Sequence, residues 1–295
     1  MANWNEILNE IQASGSTYDV VRRKYLKELY KLTGRNIIIY YSGWLQKPGI
    51  AGVELNDDDK NGFMNAIHGL DKSEGLDLFL HTPGGDTAAT ESLVDYLRSI
   101  FGTNMRAIIP QLALSAGTMI SCACNQIIMG KHSSLGPIDP QLYQGIPAHG
   151  VIEEFNRAYE EIKADPFKGE LWRPIIAKYN PTLIGECEKA IKWSKEMVED
   201  WLISGMLQNE ENNKQTLENI IKELSDHALT KSHARHISYS KAKDIGLKVS
   251  LLEDDPGLQE AVLSVHHSCI QTLSSTGAYK IIENQKGVAY IKMLR

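Results

Sequence analysis

Between residues 36 and 129 the chain repeats one pattern, and that pattern restricts the fold more than any other feature. The β-branched and aromatic run Asn36-Ile-Ile-Ile-Tyr-Tyr-Ser42 reads as a buried strand, and a helical stretch over 59–70 follows it. Strand 76–81, helix 87–101, strand 106–110, helix 115–124 and strand 126–129 continue the alternation. Strands that follow one another only across intervening helices pair in parallel, through right-handed crossovers. The expected class is α/β with a mainly parallel sheet.

Helical spacing before this stretch predicts a helix over 4–32, stopped at Gly34. After Gly130 the chain turns rich in Gly and Pro, then gives helices over 151–163, 182–207 and 212–224. A short helix over 240–246, a strand over 248–252 and a helix over 256–273 follow. The last segment, 278–294, alternates around Asn284-Gln-Lys-Gly287 and reads as a hairpin. No linker composition divides these parts. The expectation is one domain over 36–255 carrying a helical extension over 1–35 and a helix-and-hairpin extension over 256–295.

Charge and cysteine usage exclude several classes. With 31 basic against 37 acidic residues and a net charge of -6, nothing suggests the clustered cations that hold nucleic acid. Cys122, Cys124, Cys187 and Cys269 are too scattered for a disulfide framework. Cys122 and Cys124 diverge by about 200° on a helix, so they cannot easily share a metal. The amino end lacks a signal-peptide pattern, and no apolar run approaches the ~20 residues that span a bilayer. A reduced, cytoplasmic protein without a membrane anchor is expected.

Chemistry concentrates at two junctions where a strand runs into a helix. In His81-Thr-Pro-Gly-Gly-Asp86 the glycines permit unusual backbone angles and leave amide hydrogens uncovered. This is the carboxyl end of a strand, where α/β proteins bind ligands; a tight turn capped by Asp86 or Thr87 explains the same residues. In Gln111-Leu-Ala-Leu-Ser-Ala-Gly-Thr118, Ser115 stands at a helix start beside free amides, the geometry that stabilises an acyl-transfer oxyanion. An ordinary N-cap serine is the competing explanation.

Taken together these segments resemble the Clp protease and crotonase superfamily, and within it the signal peptide peptidase A branch and its relatives, the serine dehydrogenase proteinases. The resemblance rests on His81-Thr-Pro-Gly-Gly85, Leu114-Ser-Ala-Gly-Thr118 and Ser134-Leu-Gly-Pro-Ile-Asp-Pro-Gln141. Glu188-Lys-Ala-Ile191 and Tyr239-Ser-Lys-Ala-Lys-Asp-Ile-Gly-Leu247 extend it in consistent order. It implies a Clp/crotonase-like ββα superhelix with added helices. It also implies a nucleophile at Ser115, an oxyanion hole from the amides of Gly85 and Ala116, and a lysine base at the position of Lys189.

Lysine titrates near 10.4 in water, so such a base needs burial or a neighbouring cation, for which Lys192 and Trp193 are at hand and which Glu186 opposes. Residues around Lys189 form a mixed helical face, and Lys163 and Lys168 are rivals for the role. A Ser-His-Asp arrangement is disfavoured because Leu135-Gly-Pro-Ile-Asp-Pro140 holds no histidine where the Clp protease has one; His132 lies too early, and His81 reads as strand-end packing. Asp139, stiffened by Pro137 and Pro140, either orients a neighbour, lines the substrate cleft together with Gly84, or makes an Asp turn. His227, His233 and His236 fit no common zinc spacing and read as polar surface.

The expected function is a soluble serine endopeptidase working through an acyl-enzyme with a Ser115-Lys189 dyad, without metal or other cofactor. Its substrate is a peptide or protein lying extended beside Gly84 and Gly85, drawn from soluble or loosely folded cytoplasmic chains. Apolar surface on the added helices points to a homo-oligomer. The alternatives are a crotonase-like acyl-CoA hydratase or hydrolase, which uses the same two-amide hole, and an inactive protein-binding scaffold.

Overall fold

Every residue of Asn36–Ser42 is buried, because this strand is covered on both faces. Ile38 and Tyr40 enter one apolar cluster and Ile37, Ile39 and Tyr41 the other, so alternate side chains feed opposite layers. Each such isoleucine contributes about 1.5–3 kcal/mol through removal from water. Leu76–His81 is buried throughout in the same way, with Leu78 and Leu80 on one side and Phe79 on the other.

The computed structural model describes residues 4–14, 18–142, 145–208, 210, 213–225 and 235–294. In chain order the elements are α1 (Trp4–Ala13), α2 (Tyr18–Thr33), β1 (Asn36–Ser42), α3 (Asp59–Ile67), β2 (Leu76–His81), α4 (Thr87–Phe101), β3 (Met105–Ile109), β4 (Leu112–Ala113), α5 (Ala116–Cys122), β5 (Gln126–Met129), β6 (Ser134–Leu135), β7 (Gln141–Leu142) and β8 (Ile146–Pro147). The second half contains α6 (Ala148–Ala164), α7 (Gly169–Ile176), α8 (Leu183–Ser204), α9 (Asn213–Ser225), β9 (Ile237–Ser238), α10 (Tyr239–Asp244), β10 (Val249–Leu251), α11 (Pro256–Ser275), β11 (Ala278–Asn284) and β12 (Ala289–Met293).

The main sheet has seven strands in the order β10-β5-β3-β2-β1-β11-β12. Neighbours from β10 to β1 run parallel, as expected from the alternating pattern. β11 joins β1 antiparallel and β12 closes the edge, forming the expected terminal hairpin. This hairpin is therefore continuous with the sheet. α3, α4 and α5 pack on one face with α8 and α9 beyond them, while α2 and α11 cover the other.

Two local expectations need correction. The helix expected over 4–32 is two helices, α1 and α2. The connection between α6 and α8 holds a further helix, α7, which the sequence does not announce because Pro174 lies inside it. Pro174 is the sixth of its eight residues, so it removes one hydrogen bond near the end of a short helix, which stops two residues later.

Candidate active site

A short second sheet builds the site. Thr82, just past β2, bridges Ala113 of β4: its amide donates to the Leu112 carbonyl at 3.0 Å, and the Leu114 amide donates back to the Thr82 carbonyl at 3.0 Å. The glycine turn after β2 and the serine turn after β4 are thereby held side by side. Their closeness requires glycine: a Cβ on Gly84 (φ +105°) would lie 2.6 Å from the Ser115 Cβ and 3.1 Å from the Ala116 nitrogen. Gly117 is equally confined, since a Cβ there would fall 2.6 Å from the Thr82 Cγ2.

Ser115 has φ 49° and ψ -113°, the only positive φ outside glycine among the described residues. Such a conformation costs about 1–3 kcal/mol and persists only where the surroundings enforce it. The N-cap explanation for this serine does not hold, since its side chain makes no capping hydrogen bond to α5. Ser115 is half-buried, its hydroxyl held up at the bend between strand and helix. Asp86, by contrast, does cap α4, accepting from the Ala89 amide at 2.8 Å.

Beside it, the chain at Leu55 pairs with the glycine turn. The Leu55 amide donates to the Gly84 carbonyl at 2.8 Å and the Asp86 amide to the Leu55 carbonyl at 2.9 Å. That pairing skips the amide of Gly85. Among the described residues neither the Gly85 nor the Ala116 amide has a protein acceptor, so two donors flank the serine bend. A side chain on Gly85 is barred too, because its Cβ would meet the Leu55 backbone, with Leu55 Cα at 2.7 Å.

The Gly-Pro loop after β6 is pinned to the same bend. The Thr118 hydroxyl shares its proton between the Ala113 and Gly136 carbonyls, each at 2.9 Å, and accepts from the Gly136 amide at 2.9 Å. Ile138 is bound from both sides, its amide by the Leu224 carbonyl at 2.9 Å and its carbonyl by the Ser194 hydroxyl at 2.8 Å. Asp139 in this loop is buried.

Lys189 stands on the exposed side of α8 and, among the described residues, makes no hydrogen bond or ion pair. One helical turn on, the Trp193 indole donates to Glu91 of α4 at 3.2 Å. Among the described residues, the burial or free neighbouring cation expected for a lysine base is not present at Lys189, since it is exposed and Lys192 faces Glu196; the Trp193 contact ties this stretch of α8 to α4, the helix that starts just after Gly85. Lys192 pairs with Glu196 at 3.6 Å, Lys168 with Glu161 at 3.5 Å, and Lys163 lies over the Tyr159 ring.

His81 projects to the opposite face of the sheet. Its ring packs against Trp44, Tyr41 and His266 at 4.5, 5.3 and 5.6 Å between centroids. Among the described residues neither ring nitrogen has a hydrogen-bond partner. Burial holds its pKa down to about 3, so the ring is neutral. His132 Nε2 lies 3.0 Å from the Pro110 carbonyl. His236 is exposed, while His227 and His233 lie outside the described residues. All four cysteines are buried and free, and burial pushes the Cys122 and Cys124 thiols up to about 12, which suits packing and not catalysis.

Three contributors are not evident from the sequence: Leu55, which fixes the glycine turn; Thr118, which fixes the loop; and the buried pair Lys280 and Asp59 behind Leu55, with Lys280 Nζ 2.8 Å from the carboxylate. Lys280 did carry a signal, a cation on the apolar side of an alternating strand.

The sequence profile of the ClpP-like SDH-type serine proteinases matches residues 20–256. An uncharacterized protein of Methanocaldococcus jannaschii is 28% identical over 237 residues, covering 79% of this chain and 73% of its own length. A second uncharacterized protein of that organism is 31% identical over 150 residues, half of each chain. No helix among the described residues is long and apolar enough to cross a membrane. The strained serine bend, the mainly parallel sheet and the profile match agree, and the chain belongs to the ClpP-like SDH-type serine proteinase family.

Proposed function

We propose that this protein is a serine endopeptidase in which Ser115 attacks the scissile carbonyl. The observation that carries the reading is the strained backbone of Ser115, with its hydroxyl uncommitted. As the hydroxyl oxygen bonds to the carbonyl carbon, the carbonyl oxygen takes negative charge between the amides of Gly85 and Ala116. The serine proton passes to the Lys189 amine and then to the leaving nitrogen as the peptide bond breaks; water later releases the acyl group from Ser115. No cofactor enters these steps. Substrate lies extended along the backbone at Gly84, and Asp139, being buried, serves to hold its loop.

Support for Lys189 comes from the family resemblance at Glu188-Lys-Ala-Ile191 and from the contact that Trp193, one turn on, makes with α4, whereas Lys168 is engaged by Glu161. Labelling with a fluorophosphonate probe tests both roles. Wild type reacts and Ser115→Ala does not; Lys189→Ala, still folded, loses at least about 100-fold in labelling rate. Labelling that survives in Ser115→Ala overturns the nucleophile. Undiminished labelling in Lys189→Ala moves the base to Lys163 or Lys168, and a wild type that hydrolyses acyl-CoA but not peptides favours the crotonase-type alternative.

Self-association is the companion proposal. Phe167, Leu171 and Ile175, spaced one turn apart, are 87%, 70% and 44% exposed and form an apolar stripe on and beside α7. A homo-oligomer covers it, and Phe167→Glu lowers the mass seen by light scattering; a wild type that is monomeric at micromolar concentration ends this proposal. The thiols bear on the cellular setting, since free buried cysteines fit a reducing compartment such as the cytoplasm.

A further inference from the structure

A chain of buried polar contacts runs from the terminal hairpin to the glycine turn. Lys280 of β11 is fully buried; its Nζ donates to both Asp59 carboxylate oxygens at 2.9 and 2.8 Å and to the Glu54 carbonyl at 2.8 Å. Asp59, also buried, accepts from the Asn56 amide at 3.1 Å and from the Tyr40 hydroxyl at 2.9 Å. Lys292 of β12 stands 3.3 Å from the other side of the same carboxylate.

Two routes leave this centre and converge beside Ser115. Along the backbone, Glu54 and Asn56 flank Leu55, which binds the Gly84 carbonyl and the Asp86 amide. Through side chains, Tyr40 of β1, which donates to Asp59, lies on the strand paired with β2, and Thr82 at the end of β2 accepts from the Gly84 amide at 3.1 Å. A buried ion pair repays its desolvation only with good geometry and further hydrogen bonds. Here two of those further bonds, to the Glu54 carbonyl and from the Asn56 amide, go to the segment that fixes the turn.

We infer that Lys280 and Asp59 are positioning residues for the oxyanion hole: through Leu55 and through Tyr40 and Thr82 they set the direction of the Gly85 amide. The inference rests on the serine peptidase reading. Lys280 lies beyond residues 20–256 matched by the family profile, so the site borrows its support from the terminal hairpin. The required accuracy is high, because an oxyanion donor acts only when aimed at the place where charge develops.

The test uses the full chain and the fluorophosphonate probe, whose phosphoryl oxygen occupies the same hole. The double variant Lys280→Met with Asp59→Asn removes both charges together, leaving none buried alone, and Tyr40→Phe removes the second route alone. The expected result in folded protein is a roughly 100-fold fall in the maximal labelling rate for the double variant, with half-saturating probe changed less than about threefold. Tyr40→Phe shows a smaller fall in the same parameter. An unchanged maximal rate in either folded variant overturns the inference, as does a loss confined to probe affinity.

Amide hydrogen exchange supplies a readout free of catalysis. Exchange at Leu55 and Asp86 quickens in the double variant, and exchange at Gly84, whose amide donates to the Thr82 hydroxyl, quickens in Tyr40→Phe, while the β2 and β3 amides keep their protection; equal protection in wild type and both variants overturns the inference. If wild type fails to label at all, the peptidase reading fails, and exchange still decides the positioning claim.

Discussion

At the scale of single residues, the serine bend is a conformation maintained against its own preference. Gly84 makes it possible by leaving open the space where a Cβ would come within 2.6 Å of the Ser115 Cβ. Gly84→Ala therefore lowers stability by about 1–3 kcal/mol, measured by urea unfolding, and suppresses labelling of Ser115 even where the protein still folds. His81 offers a different measurement. Its buried ring faces Tyr41, Trp44 and His266, and beyond them His267 and His132, so a proton there has no carboxylate partner. The folded pKa of about 3 lies below the ordinary histidine value near 6.5. The unfolded chain then binds the extra proton, and stability is lost as pH falls from about 6.5 toward 3, at up to about 1.4 kcal/mol per pH unit for this ring. His81→Phe flattens that slope between pH 6.5 and 5 in urea titrations; a slope equal to wild type contradicts this account.

Elements carry the site through brief pairings. The bend at Ser115 is fixed by strands of two residues, β4 and β6, too short to stand out against loops in a sequence. Their anchor is Thr118. Thr118→Val keeps the shape but strands the Gly136 amide and carbonyl, costing about 1–3 kcal/mol and lowering the melting temperature by several degrees in calorimetry. The strands and helices of the parallel layer were legible because period and punctuation are local properties. What was not legible depends on contacts distant in sequence: the Leu55 pairing with Gly84, the burial of Asp139, and the Lys280 ion pair. Ser115 is instructive in both directions, since a serine before a helix predicts a cap, and only the folded structure reveals that its side chain makes no capping bond.

At the scale of the whole molecule, the sheet is completed from its far end. Ile38 and Tyr40 of β1 pair with Asn284 and Ile282 of β11, and α11 covers the same region as α2. Removing residues 278–294 leaves β1 as an edge between two apolar layers, with Asp59 buried and its lysine gone. Such a truncated chain shows no cooperative melting transition by circular dichroism, whereas removal of residues 1–14 alone leaves one. Retention of a sharp transition without the hairpin contradicts this dependence.

The position of β11 also has a consequence in time. A ribosome makes β1, the glycine turn and the serine bend long before it makes Lys280, so the strand that steadies them follows them in synthesis. Until residues 278–284 emerge, β1 is left as an unpaired edge and the Asp59 carboxylate is without its lysine. On the peptidase reading proposed above, the growing polypeptide carries Ser115 without the support of Lys280 until synthesis has passed that strand.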